Sequence, residues 1–248
     1  MRLGYAMIVL VLIGFPFARV GAVQGSINPS AVLQSKVSSE NNPVRRIELD
    51  IPADSYFAGT EGRGILKYLV RCALDADTEA HLSLSGEKFT FMGGAGLAPE
   101  WAKRALTLTE QRWVSACIYA LTNKLGKSVR VDLRAAHPKI GKDTEEEKRN
   151  YPLHEGGFFG NIFLPVPVSY VCAGTDRKKM LNFPIGKLRL CAQPSGTTTP
   201  GGQPISECGF IITGSCDSPS SFVVDGEHIN EVVHTWLPTE PRDPSAAK

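Results

Sequence analysis

Thr107-Leu108-Thr109-Glu110-Gln111-Arg112-Trp113-Val114-Ser115-Ala116-Cys117-Ile118-Tyr119-Ala120-Leu121 is the stretch from which the fold is read. Thr107 and Glu110 have the spacing of a capping box, in which the threonine oxygen and the glutamate carboxylate each take a backbone N–H left open at a helix start. Val114, Cys117, Ile118, Leu121 and Leu125 then recur at helical spacing, Trp113, Ala116 and Ala120 widen the apolar face, and Gly126 offers a stop. The sequence therefore predicts a helix whose buried face carries a cysteine.

A second helix of this kind lies upstream. After the glycine-rich turn of Gly59, Gly62 and Gly64, the residues Ile65, Tyr68, Leu69 and Cys72 fall at i, i+3, i+4 and i+7. Two helices packed face to face bring Cys72 and Cys117 within bridging distance. In the chain-entropy model, closing that 45-residue loop (117 − 72) is worth about 4 kcal/mol.

Around this pair the pattern changes to strands. Residues 47–51 alternate, and 81–84 and 87–91 flank Ser85-Gly86 as a hairpin with Leu82, Leu84, Phe89 and Phe91 inward. Pro99 suits the first turn of a brief helix, 129–133 reads as a strand, and 139–149 as a solvated loop or helical turn. Beyond these, 158–164, 168–172, 187–191, 209–213, 222–224 and 232–237 are strand-sized. Sequence proximity suggests the pairings Cys172 with Cys191 and Cys208 with Cys216. The expected fold class is α+β, two disulfide-linked helices packed beside an antiparallel, disulfide-clipped β-sheet, in a single domain over 45–237.

The N-terminus sets the compartment. Met1-Arg2 precedes Ala6-Met7-Ile8-Val9-Leu10-Val11-Leu12-Ile13-Gly14-Phe15, an apolar run that stops at Pro16 and Arg19, short of the roughly 20 residues that span a bilayer. Residues 1–22 read as a signal peptide cleaved after Ala22, 23–44 as a flexible leader and 238–248 as a flexible tail. Later apolar runs are strand-sized, so no membrane span is expected after cleavage, and the product is secreted or periplasmic. The six cysteines, Cys72, Cys117, Cys172, Cys191, Cys208 and Cys216, fit that setting: an even set without C-x-x-C reads as disulfides rather than zinc ligands.

Charge excludes one large class of function. The leader holds two of the 27 basic residues (Arg2 and Arg19) and none of the 25 acidic ones, so processing leaves 25 against 25. A neutral protein lacks the positive surface of nucleic-acid binding, and Arg177-Lys178-Lys179 is too short to supply it.

Candidate chemistry concentrates in His154-Glu155-Gly156-Gly157-Phe158-Phe159-Gly160-Asn161, where glycines allow close approach while an imidazole, a carboxylate and an amide are offered together. His154, Glu155 and Asn161 are the candidate binding residues, and Glu155 the candidate general acid or base. The glycines have a structural reading too, at a bulge or tight bend. A glycosidase needs a second carboxylate, and Glu100, Glu110 and Asp132 are available. Cys117 with His154 would make a cysteine nucleophile, but a mid-helix apolar cysteine is the wrong setting for a thiolate. His228, Glu231 and His234 do not share a face in either helix or strand, so no metal site is read there. Gly93-Gly94-Ala95-Gly96 lacks both the P-loop and the dinucleotide pattern, and no cofactor is implied.

Tyr68-Leu69-Val70-Arg71-Cys72-Ala73-Leu74, Gly96-Leu97-Ala98-Pro99-Glu100-Trp101, 106–117 and 155–163 resemble uncharacterised exported proteins of myxobacteria and related bacteria, over 64–216. That resemblance implies bacterial export and brings no assigned activity. The expectation is a cell-envelope or extracellular binding or structural module with an unidentified ligand. The alternative is a secreted hydrolase acting on glycan or peptide through Glu155.

Overall fold

The structure, a computed structural model, describes residues 45–51, 55–124, 129–141 and 144–239. The signal and leader segments, Leu125, Gly126 and the tail beyond 239 lie outside the described residues. Three units make up the fold. The first runs β1 (Arg45–Leu49), α1 (Thr60–Ala73), β2 (Thr78–Leu84) and β3 (Glu87–Met92), with β1 parallel to β2 and β3 antiparallel to it. The predicted hairpin is therefore present, and the opening strand joins it through a helical crossover. Parallel neighbours require such a connection.

α1 begins at Thr60, earlier than its apolar spacing suggests, because a 3-10 turn at Tyr56–Ala58 leads into it. Gly62 permits that entry: a Cβ there would stand 2.0 Å from the Tyr56 carbonyl oxygen. The helix buries Leu66, Leu69, Val70 and Cys72, and Tyr68 is exposed.

α2 (Leu108–Leu121) carries the capping box as read, with Thr107 Oγ1 accepting from the Glu110 N–H and the Glu110 carboxylate accepting from the Thr107 N–H at 2.8 Å. Every residue from Trp113 to Ala120 is buried. A helix apolar on all sides must be enclosed. α1 packs on one side of α2, pinned by the Cys72–Cys117 disulfide with Cα atoms 5.9 Å apart, and the large sheet packs on the other.

That sheet is built from β4 (Asp132–Arg134), β5 (Leu153–Asn161), β6 (Val168–Ala173), β7 (Pro194–Thr198), β8 (Pro204–Ser206), β9 (Ile211–Ser215) and β12 (Val233–Leu237), in the order β4-β12-β5-β6-β9-β8-β7. Between come the short helices α3 (Glu145–Asn150), α4 (Arg177–Met180) and α5 (Pro184–Arg189), and the ribbon of β10 (Val223–Val224) and β11 (Glu227–His228). The α+β class holds, and the sheet is mixed rather than purely antiparallel, since β6 and β9 pair parallel. Residues 187–191, read as a strand, form the end of α5 and a turn through Leu190 at φ 55°, because Pro184 opens a helix at 184.

The parallel pairing also corrects two disulfides. Cys172 bonds Cys216 and Cys191 bonds Cys208, in place of Cys172 with Cys191 and Cys208 with Cys216. The β6/β9 register sets Cys172 opposite Gly214 and Ala173 opposite Ser215, which lays Cys216 beside Cys172 although 44 residues separate them. The inner pair then closes the turn between β8 and β9 onto the end of α5. No free cysteine occurs among the described residues, and no helix among them is long and apolar enough to cross a membrane. Three disulfides are compatible with an oxidising compartment.

Candidate functional site

β5, which holds most of the site-like stretch, is an interior strand of the sheet and is buried along its whole length. Its pairing with β12 slips by one residue: Thr235 faces Gly156 and Trp236 faces His154, which leaves Glu155 as the extra residue of a bulge. His154 touches His234 and Trp236, while Glu155 is bonded by Thr235, and alternate residues of β12 point to opposite faces. As consecutive strand residues, His154 and Glu155 point to opposite sides of the sheet, and the bulge decides which: His154 outward, Glu155 inward. They do not form one site.

Glu155 faces the helices. Arg189, the last residue of α5, donates to its carboxylate through Nε at 3.0 Å and Nη2 at 2.8 Å, and the Thr235 hydroxyl adds a third bond at 2.7 Å. The same guanidinium donates to the carbonyls of Thr122 at 2.8 Å and Ala120 at 2.7 Å, satisfying the open C-terminal end of α2. Both side chains are buried, at 1% and 2% exposure, so the carboxylate is enclosed and fully bonded rather than presented to a cleft. The other carboxylates considered for a glycosidase pair are also engaged: Glu100 with Lys103, Glu110 with Arg104 and Asp132 with Arg134.

Asn161 lies at the far end of β5. Its amide donates to Gln111 Oε1 at 3.2 Å and accepts the Phe163 N–H at 2.9 Å. It walls a cavity of about 220 Å³ with Tyr170, Arg112 and Glu227, where Arg112 holds Glu227 by two bonds at 2.7 and 2.9 Å. The amide, like the ion pair, already has protein partners.

On the outer face, His154 Nε2 meets His234 Nδ1 at 3.0 Å, and the His154 ring stacks on Trp236 at 4.5 Å. Arg134 covers Trp236, its guanidinium carbon 4.3 Å from the ring centroid. Burial lowers the pKa of both histidines, that of His234 to about 4 with His154 adding to the effect. Both rings are therefore neutral near pH 7. Gly157 makes room for this cluster, because a Cβ there would stand 2.8 Å from both Cys172 Sγ and His234 Cε1.

A second concavity lies elsewhere, a cleft of about 430 Å³ over the Cys72–Cys117 helix pair. Leu121 and Leu133 contribute apolar surface, and Tyr68, Arg71, Arg130 and Tyr151 supply the polar lining. Among the described residues neither guanidinium group has a hydrogen-bonding or acidic partner. Sequence reasoning missed this cleft: Tyr68 was placed on the buried face of α1, Arg71 was noted only within a motif, and Arg130 and Tyr151 come from unrelated segments. Lys67 and Arg71, one residue before and three after Tyr68, were the available signal, because they place Tyr68 beside the polar face of α1, where all three are exposed. Comparison of this chain with protein-family models, with curated proteins and with solved structures finds no match.

Proposed function

We propose that this chain is an exported binding module of a bacterial cell envelope or its surroundings, secreted or periplasmic, and that its cleft takes an anionic ligand with a ring or apolar body. The observation that carries the reading is the pair Arg71 and Arg130, two guanidinium groups without acidic partners among the described residues, on one concave surface flanked by Tyr68 and Tyr151. Guanidinium forks match carboxylate and phosphate oxygens, and tyrosine rings give stacking area at low entropic cost. The hydrolase alternative draws no support from Glu155, whose carboxylate is taken by Arg189 and Thr235.

The test is calorimetric titration of the full chain with a carboxylate-bearing sugar, glucuronic acid or N-acetylmuramic acid, beside the neutral N-acetylglucosamine. Binding of an acid that fails with the neutral sugar and is lost in Arg71→Gln and Arg130→Gln supports the proposal. Equal affinity for acid and neutral sugar, or an unchanged affinity in both variants, refutes it.

A further inference from the structure

Opposite the helices, the outer face of the sheet brings together two histidines that come from strands distant in sequence. His154 enters from β5 and His234 from β12, and the bulge at Glu155 is what aims His154 at its partner. Their near nitrogens are 3.0 Å apart, and one ring nitrogen from each histidine lies with Cys216 Sγ in a group whose members are all within 4.8 Å of one another. Cys216 is bonded to Cys172, so its sulfur is neutral and the imidazoles are the ligands of consequence. His234 and Cys216 are partly open to solvent, which leaves a way in.

From this geometry we infer that His154 Nε2 and His234 Nδ1 form a binding site for a borderline transition-metal dication, Zn²⁺ or Cu²⁺, with water completing its coordination. Imidazole nitrogens suit these two ions. Metal–nitrogen bonds of about 2.0–2.1 Å at a tetrahedral angle place the two nitrogens about 3.3 Å apart, so the rings need to separate by only a few tenths of an ångström. The ring that donates in this contact moves its proton to its own outer nitrogen, the other ring already carries its proton on the outer nitrogen, and both inner lone pairs are then free for the ion. The rings are positioned before the ion arrives: Trp236 stacks on His154, Phe222 meets His234 edge-on at 6.4 Å, and the Asp176 carboxylate accepts the His154 backbone N–H at 3.2 Å. This site lies on the face of the sheet away from the arginine cleft and does not depend on what that cleft binds.

The experiment uses the oxidised, chelator-stripped full chain, titrated with Zn²⁺ and in a separate arm with Cu²⁺. One equivalent of either ion is expected, weakened about tenfold or more in both His154→Gln and His234→Gln and unchanged in His81→Gln. Cu²⁺ is expected to quench the fluorescence of Trp236, an effect lost in Trp236→Phe. Imidazole ¹⁵N spectra of the unaltered protein give a readout that needs no variant: Zn²⁺ should shift the resonances of His154 and His234 and leave those of His81, His137 and His228 in place. No uptake of either ion, uptake unaffected by both glutamine variants, or shifts confined to the other three histidines overturns the inference.

Discussion

Replacing Arg189 by methionine removes the cation that Glu155 is paired with while keeping most of the side-chain volume. Arg189 and Glu155 are buried to within 1% and 2% exposure, and the guanidinium spans Glu155, Ala120 and Thr122. Its loss leaves a buried carboxylate with only the Thr235 hydroxyl, and leaves two carbonyls at the end of α2 without their donor. Removing one partner of a buried pair costs about 3–5 kcal/mol, a large share of a typical domain stability of about 5–15 kcal/mol. Glu155→Gln keeps the shape and one acceptor, and should cost less, about 2 kcal/mol. Glu155→Gln with Arg189→Met removes both charges, so the double variant should be more stable than the sum of the single losses predicts, by about 2 kcal/mol or more. Urea unfolding followed by tryptophan fluorescence measures all four species. A cost below about 1 kcal/mol for Arg189→Met, or strictly additive losses, would refute the structural role assigned to Glu155.

Three further outcomes follow from named contacts. Peptide mapping without reduction should recover Cys172 joined to Cys216 and Cys191 joined to Cys208, and a Cys172–Cys191 peptide would contradict the parallel pairing of β6 and β9. Gly157→Ala should destabilise the protein by about 1–3 kcal/mol through overpacking, since its Cβ would stand 2.8 Å from Cys172 Sγ and His234 Cε1; an unchanged melting temperature would show that the outer face is looser than described. The hydrogen bond from Arg104, followed by those from Thr107, holds the Glu110 carboxyl below its ordinary pKa, so the capping box contributes stability above the unfolded carboxyl pKa of about 4.5 that is lost as pH falls through the lower folded value. Glu110→Gln should flatten that part of the acid-unfolding curve, and an unaltered curve would remove the cap from the account.

How much was legible follows from the range of the forces involved. Thr107 and Glu110 announce a helix start because their bonds close within three residues, and Ser85-Gly86 announces a hairpin for the same reason. The Cys72–Cys117 bridge was also readable, since each cysteine lay on an apolar helical face and such faces pack together. Local periodicity also sufficed for the α+β class. It failed where pairing partners are chosen over long distances. β6 and β9 lie side by side in parallel, and nothing in 168–216 says so, because the hydrogen bonds of a ladder are the same whichever strand supplies them. Two disulfides followed that choice.

The same division runs through the sites. The sequence by itself assembled His154, Glu155 and Asn161 in one glycine-rich stretch, at the mouth of a strand read over 158–164. The tertiary structure then separated them: one extra residue at the bulge turned Glu155 inward to Arg189, left His154 facing His234 on the outer surface, and placed Asn161 on the wall of a different cavity. Residue types and their local order come directly from the chain, whereas burial, charge pairing and which side chains meet depend on strand register. Register is settled by the packed core as a whole, where a one-residue shift exchanges the two faces of a strand.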